Sequence, residues 1–324
     1  MNVIASPRVA AAYGARIRKA APRARLIVPS VTGGKLTWSG DVAKADVCCF
    51  SEDMWQDLDS RQLVLPALFR LEGLRWFHTF SAGVDSPVFQ LLIDRGTLLT
   101  NSSGASAPSI AQYVLAMMLH RAKRIDDWRD QQKRREWLQI PAGELTGQTA
   151  GIIGTGAIGG EVARLAQAFG MRVIGARRSA KPARYVDEQV SLRRLPYLLK
   201  QSDFVVIACP LTKETEGLIG ERELRAMKPT ATLINVARGR VIDEAWLIRA
   251  LEERWIAGAC LDVFTIEPLP ESSPLWDLPN VIVTPHNSGF SPLNLERSMA
   301  IFLDNLDRFA RGKKLRNLVT HAGT

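Results

Sequence analysis

The sequence predicts an α/β protein made of two doubly wound parallel-sheet domains. Short apolar runs of strand length alternate with helix-length segments along nearly the whole chain. At 324 residues the chain exceeds one typical core, so two domains are the natural division. The alternation also restarts after a long helical pattern, "APSIAQYVLAMMLHRAKR" (107–124).

The elements follow in order. "ARLIVPS" (24–30), "ADVCCF" (45–50), "LRWFHTF" (74–80) and "GTLLTNS" (96–102) read as four strands of a first domain. After the long helix come "TAGIIG", "MRVIGA", "SDFVVIACP", "ATLINVA", "GACLDVF" and "NVIVTPH", six strands of a second parallel sheet. "NLERSMAIFLDNLDRFARGKK" (294–314) is an amphipathic helix with no sheet of its own, so it is expected to pack back on the first domain. The expected division is 1–101 completed by 291–324, with 102–290 between.

Composition narrows the function. Hydrophobic content of 46% with 23% charged residues is that of an ordinary soluble domain. No stretch reaches the roughly 18 apolar residues of a membrane span, and the N-terminus lacks a signal-peptide h-region. Cys48, Cys49, Cys209 and Cys260 form no CxxC pair, which points to a reduced, cytoplasmic setting without disulfides or a metal site. The net charge of +9 is spread among acids, as in "HRAKRIDDWRDQQKRREW" (120–137), the solvated face of a helix and its extension. Without helix-turn-helix or zinc-finger spacing, that charge does not indicate nucleic acid. It reads as a solvated surface or as a field that attracts small anions.

"GTGAIG" sits between a strand and a helix and matches G-x-G-x-x-G. Gly154 permits the tight turn, Gly156 a close approach of backbone to a pyrophosphate, and Gly159 close packing of helix on strand. Ala157 and Ile158 complete the turn, and the helix start supplies N–H groups and partial positive charge for phosphates. The next strand ends on "RRS" where an acid usually holds a ribose diol. Arg177 lies 18 residues after Gly159, close to the expected spacing for that acid. An acid there would repel a 2′-phosphate, whereas Arg177, Arg178 and Ser179 would bind one, so NADP(H) is preferred and NAD(H) remains open. Stacking on the adenine is the second role open to the arginines.

Four histidines can be judged singly. His78 lies inside an apolar strand, His120 amid surface charge and His321 in the C-terminal tail. His286 follows the strand "NVIVTP", at a carboxyl end where doubly wound sheets bind ligands. Arg238 follows "ATLINVA", and Asp262 and Glu267 follow "GACL". An Arg, a Glu and a His on separate strand ends make a plausible catalytic set.

The chain resembles the D-isomer-specific 2-hydroxyacid dehydrogenases, specifically their NADP-preferring glyoxylate/hydroxypyruvate reductase-like branch. "FSAGVDS", "LTGQTAGIIGTGAIG", "SDFVVIACPLTKETEGLI", "MKPTATLINVARGRVID", "GACLDVFTIEPLP" and "VIVTPHNSG" occur in the family's order and spacing. The resemblance implies a Rossmann cofactor domain inserted into a flavodoxin-like substrate domain, and a homodimer formed through the cofactor domain. It makes Arg238 the substrate arginine, Glu267 the partner of His286, and His286 the acid/base. Asp262 resembles the acid near the nicotinamide carboxamide. Cys209, Pro210 and Thr215 fall in a cofactor-lining segment, and the Ala82–Gly83 backbone in the loop that receives a substrate carboxylate. Gln112, Asn287 and Ser288 depart from the family pattern. A small 2-oxo acid is the implied substrate, with "SEDMW", holding Met54 and Trp55, as a candidate pocket wall. The alternative is a non-catalytic, dinucleotide-sensing corepressor-like protein. Formate dehydrogenases carry Gln at the position of Glu267, and phosphite-oxidising relatives carry a Lys in the carboxylate loop, so both are disfavoured.

Overall fold

The structure, a computed structural model, describes residues 1–84 and 86–320. His321 therefore lies outside the described residues, as does Asp85 of "FSAGVDS". The chain forms two units, Met1–Ser106 with Ser291–Thr324, and Ala107–Phe290. The first break falls later than residue 101 because the intervening turn is bonded within the first unit. Ser102 N–H donates to Ser81 O, and Asn317 Nδ2 donates to Ser103 O.

The first unit contains β1 (Asn2–Ile4), β2 (Arg25–Ile27), β3 (Pro29–Thr32), β4 (Lys35–Trp38), β5 (Val47–Phe50), β6 (Trp76–Thr79) and β7 (Leu98–Asn101). Its main sheet runs β2-β1-β5-β6-β7 in parallel, with the C-terminal strand Leu318–Val319 antiparallel to β7. Counting main-sheet strands only, that is the order 2-1-3-4-5 of the flavodoxin-like doubly wound fold. The helix Pro7–Ala20 starts on Ser6, whose hydroxyl accepts the Val9 N–H at 3.1 Å, and on a proline. It buries Val9, Tyr13 and Ile17 at helical spacing. The helix Asn294–Ala310 adds Met299, Phe302 and Leu306 to the same core, with Phe302 stacked on Trp76 at 5.2 Å.

The second unit holds β8 (Thr149–Ile153), β9 (Arg172–Arg177), β10 (Glu188–Ser191), β11 (Phe204–Ile207), β12 (Thr232–Asn235), β13 (Gly258–Leu261) and β14 (Val281–Val283). All are parallel, in the order β10-β9-β8-β11-β12-β13-β14. This is the Rossmann order 3-2-1-4-5-6 with one further strand. Strands β8, β11, β12 and β13 are buried throughout, which accounts for their continuous apolar sequences. The helix Ala107–Ala122 packs Ile110, Ala111, Val114, Leu115 and Met118 against Val162, Ala163 and Ala166 of the helix Ala157–Ala168.

The structure revises the element list in several places. Strand β1 spans only three residues before the Ser6 cap, too few for a periodic signal. The run 24–30 divides at Pro29, and β3 turns into β4 through Gly33 and Gly34, whose φ values of 58° and 73° suit a two-residue hairpin loop. Strand β10 makes seven strands in the second sheet rather than six, because its polar edge sequence "EQVS" hides it. The basic extension is not continuous with the long helix. Arg124, at φ 55°, separates Ala107–Ala122 from a second helix, Ile125–Arg134.

Candidate active site at the carboxyl edge of the second sheet

The glycine turn follows β8 at the switch point of the sheet, where β8 meets β11. Gly154 has φ +97°, and a Cβ there would lie 2.5 Å from Cys209 N and 2.7 Å from Ala208 C. A Cβ on Gly159 would lie 2.0 Å from Gly154 O. Those two glycines let the turn, the β11 loop and the helix close on one another. Gly156 differs: a Cβ there would meet nothing within 4 Å, so open space faces the turn. Gly156 also caps the helix Ala157–Ala168 without a side-chain hydrogen bond, which leaves backbone N–H donors at a helix start. Exposed Ala157 and half-buried Ile158 border that space. A small open cradle of backbone donors fits a dinucleotide pyrophosphate. Across the switch point, Cys209 is buried and its thiol is pushed up to about 11 by burial. Thr215 ties the Pro210 loop, its hydroxyl donating to Pro210 O at 2.6 Å and accepting from Thr212 N–H at 2.8 Å.

The two arginines behave differently. Arg177 turns back on its own loop, donating to the carbonyls of Ser179, Lys181 and Pro182. Arg178 is 70% exposed, and its nearest carboxylate is Glu214 at 3.9 Å. Arg177 therefore shapes the loop that Arg178 and exposed Ser179 present to solvent.

Three further strand ends bring the proposed chemistry together. His286 Nδ1 lies 2.8 Å from Glu267 Oε2, and Glu267 Oε1 accepts the Phe264 N–H at 2.9 Å. An ionised carboxylate only accepts, so Nδ1 carries the proton and Nε2 is the exchangeable nitrogen. The Glu267 hydrogen bond raises the His286 pKa, against burial and the positive charge of Arg238. Burial pushes the Glu267 carboxyl up, but His286, the Phe264 N–H and Arg238 together hold it below its ordinary value. Arg238 follows β12 and donates Nη1 to Ala237 O at 2.7 Å. A Cβ on the next residue, Gly239, would lie 1.9 Å from Phe264 C, so the β12 and β13 ends touch backbone to backbone. Asp262 is fully buried. Its oxygens accept from Thr284 Oγ1 at 2.5 Å, Asn287 N–H at 2.8 Å and Ser288 N–H at 3.0 Å. Asn287 and Ser288 thus serve through their backbone, and Gln112 is exposed on its helix. Tyr113, Thr284 and Ser109, which complete this arrangement, carry no signal in the sequence that singles them out.

In the first unit, Ala82 and Gly83 follow β6. Asn101 Nδ2 donates to Ala82 O at 2.7 Å and Ser81 Oγ to Gly83 O at 2.9 Å. In trans peptides those carbonyls send the Gly83 and Val84 N–H groups the opposite way. His78 is buried, bonded to Thr100 and Ser102, and pushed down to about 3 by burial, so it is a neutral core residue. Met54 is also core, packed with Phe50 and Leu68, and only Trp55 of that pair is exposed. His120 pairs with Asp126 at 2.8 Å. All four cysteines are free and buried. Among the described residues no cluster of His, Cys, Asp or Glu could hold a metal, and no helix is long and apolar enough to cross a membrane.

Comparison with known proteins supplies the family. Residues 115–288 match the D-isomer specific 2-hydroxyacid dehydrogenase, NAD binding domain. A glyoxylate reductase of Thermococcus gammatolerans is 40% identical over 250 residues, 74% of this chain and 74% of that one. A D-isomer specific 2-hydroxyacid dehydrogenase family protein of Aeromonas salmonicida superposes with a TM-score of 0.82 at 32% identity, covering 98% of both chains. An NADPH-dependent glyoxylate/hydroxypyruvate reductase of Sinorhizobium meliloti, solved with NADP and sulfate, gives 0.80 at 25% identity over 99% of this chain and 98% of that one. With a nicotinamide-dinucleotide fold, an Arg-Glu-His edge and these relatives in hand, the chain belongs to the D-isomer specific 2-hydroxyacid dehydrogenase family.

Proposed function

We propose that the protein reduces a small 2-oxo acid of the glyoxylate or hydroxypyruvate type to the D-2-hydroxy acid, with NADPH preferred and NADH usable. The observation that carries this reading is the His286–Glu267 pair at 2.8 Å on the carboxyl edge beside Arg238, in the unit that holds the glycine turn. The glyoxylate reductase relative supports the substrate class, and the NADP-bound structural relative the cofactor. Gly154, Gly156 and Gly159 with the helix start would hold the pyrophosphate, and Arg178 and Ser179 a 2′-phosphate. When bound, the reduced nicotinamide supplies the hydride for C2 of the oxo acid.

The chain supplies the rest. Arg238 binds the carboxylate and polarises the carbonyl oxygen. The Ala82–Gly83 backbone is the segment proposed to receive a substrate carboxylate. His286 Nε2 donates its proton to the forming alkoxide. Glu267 stabilises the imidazolium and so keeps the acid loaded near neutral pH. A homodimer through the second unit is part of the proposal, supported by Trp137 and Leu138, which are 95% and 61% exposed.

The test is a panel of 2-oxo acids assayed with NADPH and NADH, followed through loss of the reduced nicotinamide. Turnover of glyoxylate or hydroxypyruvate with a lower KM for NADPH is expected. Tight dinucleotide binding without turnover of any 2-oxo acid would instead mark a binding protein.

A further inference from the structure

Two residues of the helix Ala107–Ala122 bracket the loop that carries His286. Tyr113 Oη lies 2.9 Å from Thr284 Oγ1, two residues before the histidine. Ser109 Oγ reaches Ser288 O at 3.0 Å and Phe290 O at 3.3 Å, just beyond it. Being four residues apart, Ser109 and Tyr113 project from one face of the helix.

The direction of these bonds follows from counting protons. Asp262 takes three donors on two oxygens and is therefore the acceptor in each. Thr284 has one hydroxyl proton, and at 2.5 Å it is directed to Asp262. Tyr113 must then be the donor to Thr284. The result is a one-way chain from Tyr113 through Thr284 that ends on Asp262, into which the N–H groups of Asn287 and Ser288 also donate.

That chain holds an unusual piece of backbone. His286 has φ +54°, in the left-handed region that residues with side chains adopt rarely, His more readily than most. Its N–H lies 2.8 Å from Asp262 O and 3.0 Å from Thr284 O. Such a conformation persists where the surroundings over-determine it, and here the surroundings are the Asp262 clamp and the helix behind it.

We infer that Tyr113, acting through Thr284 and Asp262, is a positioning residue that keeps the His286 ring paired with Glu267, with Ser109 steadying the far side of the same loop. The inference rests on the reading of His286 as the proton donor and adds the element that places it.

Among the described residues, the charged groups that act on His286 are Glu267, Arg238 and Asp262. The Tyr113 phenol is raised above its ordinary value, chiefly by burial, so it remains a donor at working pH. The experiment is an NMR titration of the His286 ring alongside kcat and KM profiles, in wild type, Tyr113→Phe, Thr284→Val, Thr284→Ser and the Tyr113→Phe/Thr284→Val double variant. Only four histidines contribute signals, and buried His78 stays neutral through the working range. Tyr113→Phe and Thr284→Val should each lower the pH at which His286 loses its proton and reduce kcat by about 2- to 10-fold, with the NADPH KM little changed. Thr284→Ser keeps the hydroxyl and should behave as wild type. The double variant should match Thr284→Val alone, because Tyr113 acts through Thr284.

Additive losses, or an unmoved His286 titration in a folded Tyr113→Phe protein, would overturn the inference. Should Thr284→Val fail to fold, the comparison of Tyr113→Phe with Thr284→Ser decides the question on the same readout. The titration does not depend on turnover. A His286 signal that shifts in Tyr113→Phe while His286→Ala keeps full activity would sink the catalytic reading and leave the positioning intact.

Discussion

Replacing Gly239 with alanine should disable the proposed chemistry while sparing cofactor binding. The added methyl would lie 1.9 Å from Phe264 C, 2.1 Å from Phe264 O and 2.3 Å from Thr265 N. All three are backbone atoms, so no side-chain rotation relieves the contact. Reaching an ordinary separation of about 3.5 Å requires the two segments to part by roughly 1.5 Å. Phe264 N–H holds Glu267 Oε1, so the displaced segment draws Glu267 from His286, while Arg238 is the immediate neighbour on the opposing strand end. A misplacement of about 1 Å costs on the order of 10²-fold in rate, and overpacking costs about 1–3 kcal/mol. The expected result is a loss near 10²-fold in kcat/KM and a Tm lower by about 2–12 °C. NADPH affinity, read by fluorescence titration, should hold within a few-fold because the pyrophosphate turn follows β8, two places away in the sheet. Gly156→Ala is the counterpart: its Cβ meets nothing within 4 Å, so Tm should hold while NADPH binding weakens. A Gly239→Ala enzyme with wild-type kcat and Tm would refute the link between that backbone contact and the placement of Glu267.

His286→Ala should lower reduction by about 10²–10⁴-fold with little change in NADPH affinity, checked by steady-state kinetics and titration. Because Glu267 raises the His286 pKa, reduction should persist above the ordinary histidine range and fall as pH rises through the raised value. In Glu267→Gln that fall should come at lower pH, and an unchanged profile would detach Glu267 from the mechanism. Arg178→Ala should weaken NADPH by about 10- to 100-fold and spare NADH, whereas Arg177→Ala, which frees the carbonyls of Ser179, Lys181 and Pro182, should weaken both. Buried His78 titrates near 3, so stability is fully present above about 6.5 and declines as pH falls toward 3. The decline is about 1.4 kcal/mol per pH unit, and urea unfolding of wild type and His78→Asn at pH 7 and pH 5 would measure it.

The sheets were legible because their central strands are buried on both faces and therefore read as unbroken apolar runs. Strands β1, β10 and Leu318–Val319 were not, since two to four residues at a sheet margin or beside a cap leave no period to detect. Glycine spacing and strand-end position mark Gly154, Gly156, Gly159, Arg238, Glu267 and His286 as candidates, because their places depend on local geometry. Tyr113 and Thr284 meet across 171 residues of sequence, a separation that no local pattern encodes. Arg177 was visible as a residue, but its attachment to the carbonyls of its own loop was not. Met54 looked available in "SEDMW" because five residues cannot report that the side chain points into the core.

The first unit is discontinuous, and that orders events during synthesis. Residues 107–290 emerge from the ribosome as one uninterrupted stretch that already contains every strand of its sheet, so this unit can fold as soon as it is clear. The first 106 residues cannot reach their final core so early, because Met299, Phe302 and Leu306 complete the cluster around Val3, Ile17 and Trp76. Until then their apolar faces wait, and a nascent chain stalled before residue 294 would present them to chaperones. A truncation that removes the last helix would leave the stretch 107–290 whole and strip Met299, Phe302 and Leu306 from the core of the first unit.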